Sequence, residues 1–213
     1  MTLERTEAIV LRTHPVTETS LVVTWFTREF GKLKTIAKGA RRPKSPFRGK
    51  IDLFYLDEIV FLRSRRSDLH LLHDCFLEKP HATLRDSVRS LAAASYAVEL
   101  VEVATEPEDA SPRIFRLLRD VLDALEHGHG EALLIWFELK LLAAAGWKPK
   151  LSTTDSASKL LGSLAGTSLA GAQRVRLNAA QVIAARELLW PFWDLHVGRA
   201  PRSRNVLIQK AEG

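Results

Sequence analysis

Residues 28–50 read REFGKLKTIAKGARRPKSPFRGK, with nine lysines and arginines against a single acid, Glu29. After the turn glycine Gly31, the residues alternate in character, which is typical of a strand with one buried face. Leu33, Thr35 and Ala37 fall on one side of this strand. The opposite side carries Ile36 and three lysines, so the pattern predicts a cationic track along the strand; the lysines are Lys32, Lys34 and Lys38.

The residues after this strand cannot continue it. Gly39, Pro43 and Pro46 interrupt both helix and sheet hydrogen bonding. We expect a mobile basic loop beside the track, an arrangement that suits a polyphosphate backbone.

The excess positive charge is concentrated in the first third of the chain. Residues 1–80 carry 15 basic and 10 acidic groups, whereas 81–213 carry 16 and 15. A basic run is often only a solvated surface. Its concentration and its overlap with a strand pattern favour nucleic-acid binding instead.

Composition excludes several classes of protein. The 213 residues are 46% apolar and 26% charged, as in ordinary globular proteins. No apolar run approaches the roughly 20 residues that cross a bilayer, and the first residues do not resemble a secretory signal. The single cysteine, Cys75, excludes an internal disulfide, and we expect it in the core. These features predict a cytoplasmic protein without a membrane partner.

Five strand patterns precede the first helical pattern. They are rich in β-branched and aromatic residues and are separated by turn signals. We place them at residues 8–11, 20–27, 32–38, 54–62 and 69–77. Five short strands of this kind predict a small antiparallel barrel, the OB-fold, which binds nucleic acid across one face.

The pattern becomes helical from residue 81. We predict a helix of about 24 residues there, then a helix capped by Ser111 with Pro112 at its first position. Further helices are expected at 131–145, near 156–164, and from Asn178 to a kink or break at Pro191. The rest of 148–176 is expected to be loop. The predicted fold class is therefore α+β, with an OB-fold barrel at 1–79 and an all-α domain at 80–213.

Several short strings occur in a characteristic order. They are TREFGK at 27–32, KGAR at 38–41, FELKLL at 137–142, and HVG at 196–198 followed by Ser203 and Arg204. In this order and spacing they resemble the bacterial recombination mediator family RecO.

The resemblance implies an OB-fold joined to a helical domain that binds single-stranded DNA and anneals complementary strands. Its implied partners are single- and double-stranded DNA, the mediator protein RecR and the C-terminal tail of single-strand DNA-binding protein. The recombinase RecA would be loaded indirectly. Many family members also carry a four-cysteine zinc site. Residues 148–177 contain no cysteine and no histidine, so we expect no metal there.

No catalytic centre or cofactor site is predicted. The chain has no GxxxxGK[ST] phosphate loop and no GxSxG motif. His70 and His73 should point to opposite sides of a strand, which separates them as metal ligands. We therefore expect a binding protein without cofactor or enzymatic activity.

The predicted DNA-binding residues are the cations of the track and loop, those of a second basic turn, and one aromatic ring. They are Arg28, Lys32, Lys34, Lys38, Arg41, Arg42, Lys44, Arg48, Lys50, Arg63, Arg65 and Arg66, with Phe47 as the ring that meets a base. Trp25, Phe26 and Phe54 are expected in the core.

Two alternatives remain open at this stage. The helical domain could be chiefly a docking scaffold for an acidic tail, or the barrel could be an RNA-binding module. The candidate docking residues are Arg113, Arg116, Arg119, Lys140, Arg199, Arg202 and Arg204.

Overall fold

The computed structural model describes residues 2–128, 130–149, 151, 155–197 and 203. Its first part is a closed barrel whose neighbouring strands follow the order β1-β2-β3-β5-β4. The strands are β1 (Leu3–Pro15), β2 (Leu21–Thr27), β3 (Gly31–Ala37), β4 (Leu56–Leu62) and β5 (Leu69–Lys79). All strand pairs are antiparallel except β3 with β5. The predicted five-stranded OB-fold barrel, followed by a helical region, is confirmed.

The barrel encloses an apolar core formed by inward side chains of all five strands. Trp25 is fully buried, and its Nε1 donates a hydrogen bond of 2.8 Å to Thr35 Oγ1. Phe26 and Phe54 are also buried, as predicted. Cys75 lies in the same core, where burial raises the pKa of its thiol.

Strand β5 contains a bulge at one of its two histidines. The register with β4 shifts between Val60 and Phe61, which leaves His73 as the extra residue. His70 is buried and stacks on Phe61 with ring centroids 5.4 Å apart, whereas His73 is exposed. The two histidines lie on opposite sides of the strand, as the sequence predicted.

The second part of the chain is helical. A 3₁₀ turn (Ala82–Arg85) precedes six helices. They are α1 (Val88–Ala104), α2 (Pro112–Leu125), α3 (Glu131–Ala144), α4 (Ser156–Gly166), α5 (Leu169–Arg174) and α6 (Ala179–Val197). The predicted caps are present, because Ser111 Oγ accepts from Ile114 N and Asn178 Oδ1 accepts from Gln181 N.

The structure differs from three helical expectations. The helix predicted from residue 81 is divided into the 3₁₀ turn, which ends at Arg85, and α1, which begins at Val88. A kink or break was predicted at Pro191, and the break is absent, since α6 continues through this residue. α5 was missed because its sequence, LAGAQR, is poor in large apolar residues.

Helix α3 is the centre of the helical part. It contacts α1, α4, α5 and α6, and most of its side chains are buried. Two of its side chains hold the end of α4: Lys140 Nζ donates to Ala165 O at 2.7 Å, and Trp136 Nε1 donates to Thr167 O at 2.9 Å. These bonds satisfy carbonyl groups at the end of α4.

The chain forms two compact units, and they do not follow chain order. One contains Met1–His81 with Thr105–Arg119; the other contains Ala82–Ala104 with Asp120–Gly213. The predicted domains 1–79 and 80–213 differ from this division because residues 105–119 group with the barrel. Glu108 N donates to Lys32 O at 2.8 Å, and Phe115 packs on Phe26.

No helix within the described ranges is both long and apolar enough to span a lipid bilayer.

Gly31 should tolerate no side chain. It has a φ of +66°, and a Cβ atom there would lie 2.0 Å from Asp109 O. The left-handed conformation alone costs a non-glycine residue about 1–2 kcal/mol, and the clash adds to it. We expect Gly31→Ala to lower the free energy of unfolding by more than this amount in denaturant titrations.

Gly49 supplies a matched control for this substitution. Its φ is +72°, but a Cβ atom there meets nothing within 4 Å. Gly49→Ala should therefore show the conformational cost alone, about 1–2 kcal/mol. Equal losses in the two variants would contradict the proposed packing of residue 109 against Gly31.

Asp57 should make the stability of the barrel depend on pH. It is fully buried beside the Cys75 thiol, and burial raises its pKa to about 7. The unfolded chain ionises this group near pH 4 while the folded chain keeps the proton, so stability falls from about pH 4 to pH 7. The free energy of unfolding should fall by up to about 4 kcal/mol over this pH range, because each pKa unit corresponds to about 1.36 kcal/mol. Asp57→Asn should remove this fall.

The measurement is the unfolding free energy of wild type and variant from pH 4 to pH 8. Asp86→Asn, at an exposed aspartate, is the control. A pH profile of Asp57→Asn parallel to that of wild type would show that Asp57 ionises normally.

Candidate nucleic-acid interface

The basic loop, residues 38–50, lies at one end of the barrel. It is built from consecutive turns in which Arg42 N donates to Gly39 O and Ser45 N donates to Arg42 O, both at 3.0 Å. Arg41 N also donates to Thr19 O in the β1–β2 connection at 2.9 Å. The sequence predicted a mobile loop, whereas the structure shows a chain of turns tied to the barrel.

Phe47 anchors this loop. Its side chain is 7% exposed and belongs to the barrel core, where Ala40 and Ile51 pack beside it. The sequence predicted Phe47 as the aromatic ring most available to a base, whereas the structure buries most of this ring at the end of the barrel core. The charged neighbours of Phe47 indicated a surface position. In the structure, Phe47 is instead the apolar contact that holds the basic loop on the barrel.

The loop cations point away from this anchor. Lys38, Arg41, Arg42, Lys44 and Arg48 are exposed, and Lys50 is half-buried. Arg41 and Arg48 donate to the carbonyl oxygens of Thr17 and Pro43. Within the described ranges, none of the six forms an ion pair with a carboxylate. Their charge is therefore available to a polyanion.

The predicted track on β3 is only partly open. Burial alternates along the strand as predicted, with Leu33, Thr35 and Ala37 inside. Lys34 is exposed and lies 3.5 Å from Asp68. Lys32 is half-buried, and its Nζ donates to Thr105 O.

Residues 105–119 cover the end of β3 that carries Lys32. Pro107 forms a parallel bridge with Lys32, and the rings of Phe26 and Phe115 lie 6.4 Å apart. Lys32 therefore contacts residues 105–119 and does not belong to the group of exposed cations. The sequence separation of 73 residues between Lys32 and Thr105 hid this contact from pattern analysis.

The remaining predicted cations lie at the opposite end of the β2–β3 hairpin. Leu21 pairs with Ala37 next to the basic loop, and Thr27 pairs with Gly31 at the other end, about 20 Å away along the strand. Arg28, in the turn after Thr27, donates to Glu7 at 2.6 Å and lies 3.5 Å from Glu29. The hydrogen bond to Glu7 is the main reason that the pKa of Arg28 is raised.

The second basic turn also lies at this far end. Arg63 pairs with Glu108, and its guanidinium lies over the Phe30 ring at 5.5 Å. Arg65 and Arg66 are exposed and form no ion pair with a described carboxylate. The predicted site residues therefore form three groups: the basic loop, the exposed Lys34, and the cations at the far end of the hairpin. In the last group, only Arg65 and Arg66 have no described carboxylate as an ion-pair partner.

One exposed aromatic residue was missed by the sequence analysis. Phe76 on β5 is 42% exposed, and Lys50 Nζ and the Arg5 guanidinium lie 5.7 and 5.9 Å from its ring centre. Strict alternation from His70 would have placed Phe76 inside the barrel, but the bulge at His73 turns it outward. No signal in the sequence marked that bulge.

The candidate docking residues are dispersed. Arg113 and Arg116 are exposed on α2, whereas Arg119 is half-buried. Lys140 is half-buried, and its ammonium lies over the Trp136 ring at 5.5 Å. Arg199, Arg202 and Arg204 lie outside the described residues.

Comparisons with known proteins agree with this architecture. Family models match the N-terminal domain of recombination protein O over residues 1–80 and its C-terminal domain over 85–154. The DNA repair protein RecO of Pelotomaculum thermopropionicum is 35% identical over 227 residues, which cover 98% of this chain and 87% of that protein. The RecO protein of Chlorobium limicola is 27% identical, with 96% of each chain covered. That of Syntrophus aciditrophicus is 34% identical over 69% of this chain, and the match spans 57% of that relative's length.

Lys32 and Lys34 should separate stability from DNA binding. Lys32→Met removes the donor to Thr105 O, so we expect a loss of about 1–2 kcal/mol of unfolding free energy with little change in affinity for single-stranded DNA. Lys34→Met removes an exposed cation and should weaken DNA binding while stability stays within about 0.5 kcal/mol. Denaturant titration and fluorescence anisotropy with a labelled oligonucleotide measure the two effects. The reverse pattern would mean that Lys32 reaches the DNA.

Proposed function

Because the chain belongs to the recombination protein O family, we propose that it is a non-enzymatic DNA repair protein that binds single-stranded DNA and anneals complementary strands. The observation that carries this proposal is the basic loop. Its six cations are held at the barrel end by buried Phe47, and none of them is neutralised by a carboxylate within the described chain.

The open cations suggest a path for the DNA strand. The strand would cross the basic loop and continue over the exposed Lys34 towards Arg65 and Arg66. This path is about 20 Å along β3, which suits a few nucleotides, as in other OB-folds. Residues 105–119 would block the end of β3 at Lys32, so the DNA strand would turn towards the connection between β4 and β5.

Binding of this kind would be largely independent of sequence. Lysine and arginine contacts to phosphates position the strand but carry no base information. Annealing follows from the same charges. Cations that hold two strands on one surface reduce the repulsion between their phosphates and raise their local concentration.

The resemblance also supports a proposal about the cellular context of this activity. We propose that the protein acts in the cytoplasm on DNA coated by single-strand DNA-binding protein, together with RecR, so that RecA can be loaded. The exposed Arg113 and Arg116, one helical turn apart on α2, support a contact with an acidic segment of such a partner.

The basic loop should dominate the salt dependence of DNA binding. On single strands, log K falls by about 0.7 per unit of log salt for each phosphate neutralised. Replacing Arg41, Arg42 and Lys44 with alanine should therefore reduce the slope by about 2 and lower affinity at least tenfold. The melting temperature should change little because all three side chains are exposed.

A matched control removes the same charge elsewhere. Arg89, Arg113 and Arg116 are also exposed, and their replacement with alanine changes the net charge by the same amount. Anisotropy titrations at several salt concentrations compare the two triple variants. If both variants lose affinity and slope equally, net charge and not the basic loop governs binding.

A further inference from the structure

A cavity of about 390 Å³ lies between the basic loop and the end of the barrel. Its volume falls within the range of about 300–1,000 Å³ that small-ligand pockets occupy. Leu21, Ala40 and Ile51 supply apolar wall, and the edge of Phe47 closes its inner side. All lining residues belong to the barrel unit.

The charged groups of this cavity all have one sign. Arg41, Arg42 and Arg48 line it, and no acid does. None of the three arginines forms an ion pair with a described carboxylate, and their charged ends lie on the exposed side of the loop. An apolar recess with arginines around it suits a flat uncharged group that is attached to phosphates.

We propose that this cavity receives one unpaired nucleobase of a bound strand while the arginines hold the phosphates on either side. This inference rests on the proposed binding of single-stranded DNA and adds a base-dependent contact to it. The apolar walls would cover the face of the base without reading its edge, so the contact would tolerate any base.

The cavity would also discriminate between single and double strands. A base in a duplex must be unpaired and unstacked before it can enter, which costs a few kcal/mol. Phosphate contacts alone offer no such preference, because both kinds of DNA present them. The cavity would therefore favour binding of unpaired strands, which is the state from which complementary strands anneal.

The test compares two ligands that differ only in their bases. One is a 20-residue thymidine oligonucleotide, and the other is an abasic phosphodeoxyribose chain of the same length. Wild-type protein should bind the thymidine oligonucleotide about tenfold more tightly, since stacking of one base contributes about 1–3 kcal/mol. Ala40→Leu places a larger side chain in the wall of the cavity and keeps every cation, so this preference should fall to within about twofold. Its affinity for the abasic chain should equal that of wild type.

Ala180→Leu is the matched control, because Ala180 is exposed on α6. It should keep the tenfold preference. Equal loss of affinity for both ligands in Ala40→Leu would mean that the substitution displaces the arginines and would overturn the base pocket. An unchanged preference in a folded Ala40→Leu variant would also overturn it.

A measurement on the wild-type protein avoids dependence on the folding of the variant. An oligonucleotide with 2-aminopurine at one position is bound and then titrated with acrylamide. A buried base should be protected from quenching at least threefold relative to the free oligonucleotide, and full accessibility at every labelled position would contradict the proposal. If the thymidine and abasic chains bind equally well, the base pocket fails while single-strand binding stands. If neither chain binds, the proposed function itself fails.

Discussion

Phe47 joins the most cationic segment of the chain to the apolar interior of the barrel. Six cations within 13 residues repel one another. Burial of one phenylalanine side chain contributes about 1.5–3 kcal/mol, which offsets part of this repulsion. The loop can therefore keep its cations uncompensated, which a surface that binds a polyanion requires.

A second constraint acts at the opposite end of the hairpin. Residues 105–119 return to the barrel and cover Lys32 and Phe26, so that this part of the outer face is closed. Glu108 also neutralises Arg63 and faces His70 at 3.3 Å. Covering one end and leaving the other open gives the barrel an asymmetric charge distribution, with the uncompensated cations of the basic loop at the open end.

Local patterns were enough to predict most of the fold. Alternation placed the strands, and Ser111 and Asn178 marked helix starts, because these signals act over a few residues. The sequence could not show that Lys32 contacts Thr105 or that Arg28 pairs with Glu7, since both contacts join distant parts of the chain. The burial of Phe47 and the exposure of Phe76 were not predictable, because they depend on a loop anchor and a bulge that no short pattern encodes.

Cys75 has a practical consequence for the study of this barrel. The chain contains no other cysteine, and the Cys75 thiol is fully buried with its pKa raised by desolvation. A thiol of this kind stays protonated and inaccessible, so it reacts slowly with maleimides and other alkylating labels. A cysteine introduced at an exposed position such as Lys44 would be the one reactive thiol of the native protein. Spectroscopic probes could therefore be attached there without first removing the natural cysteine.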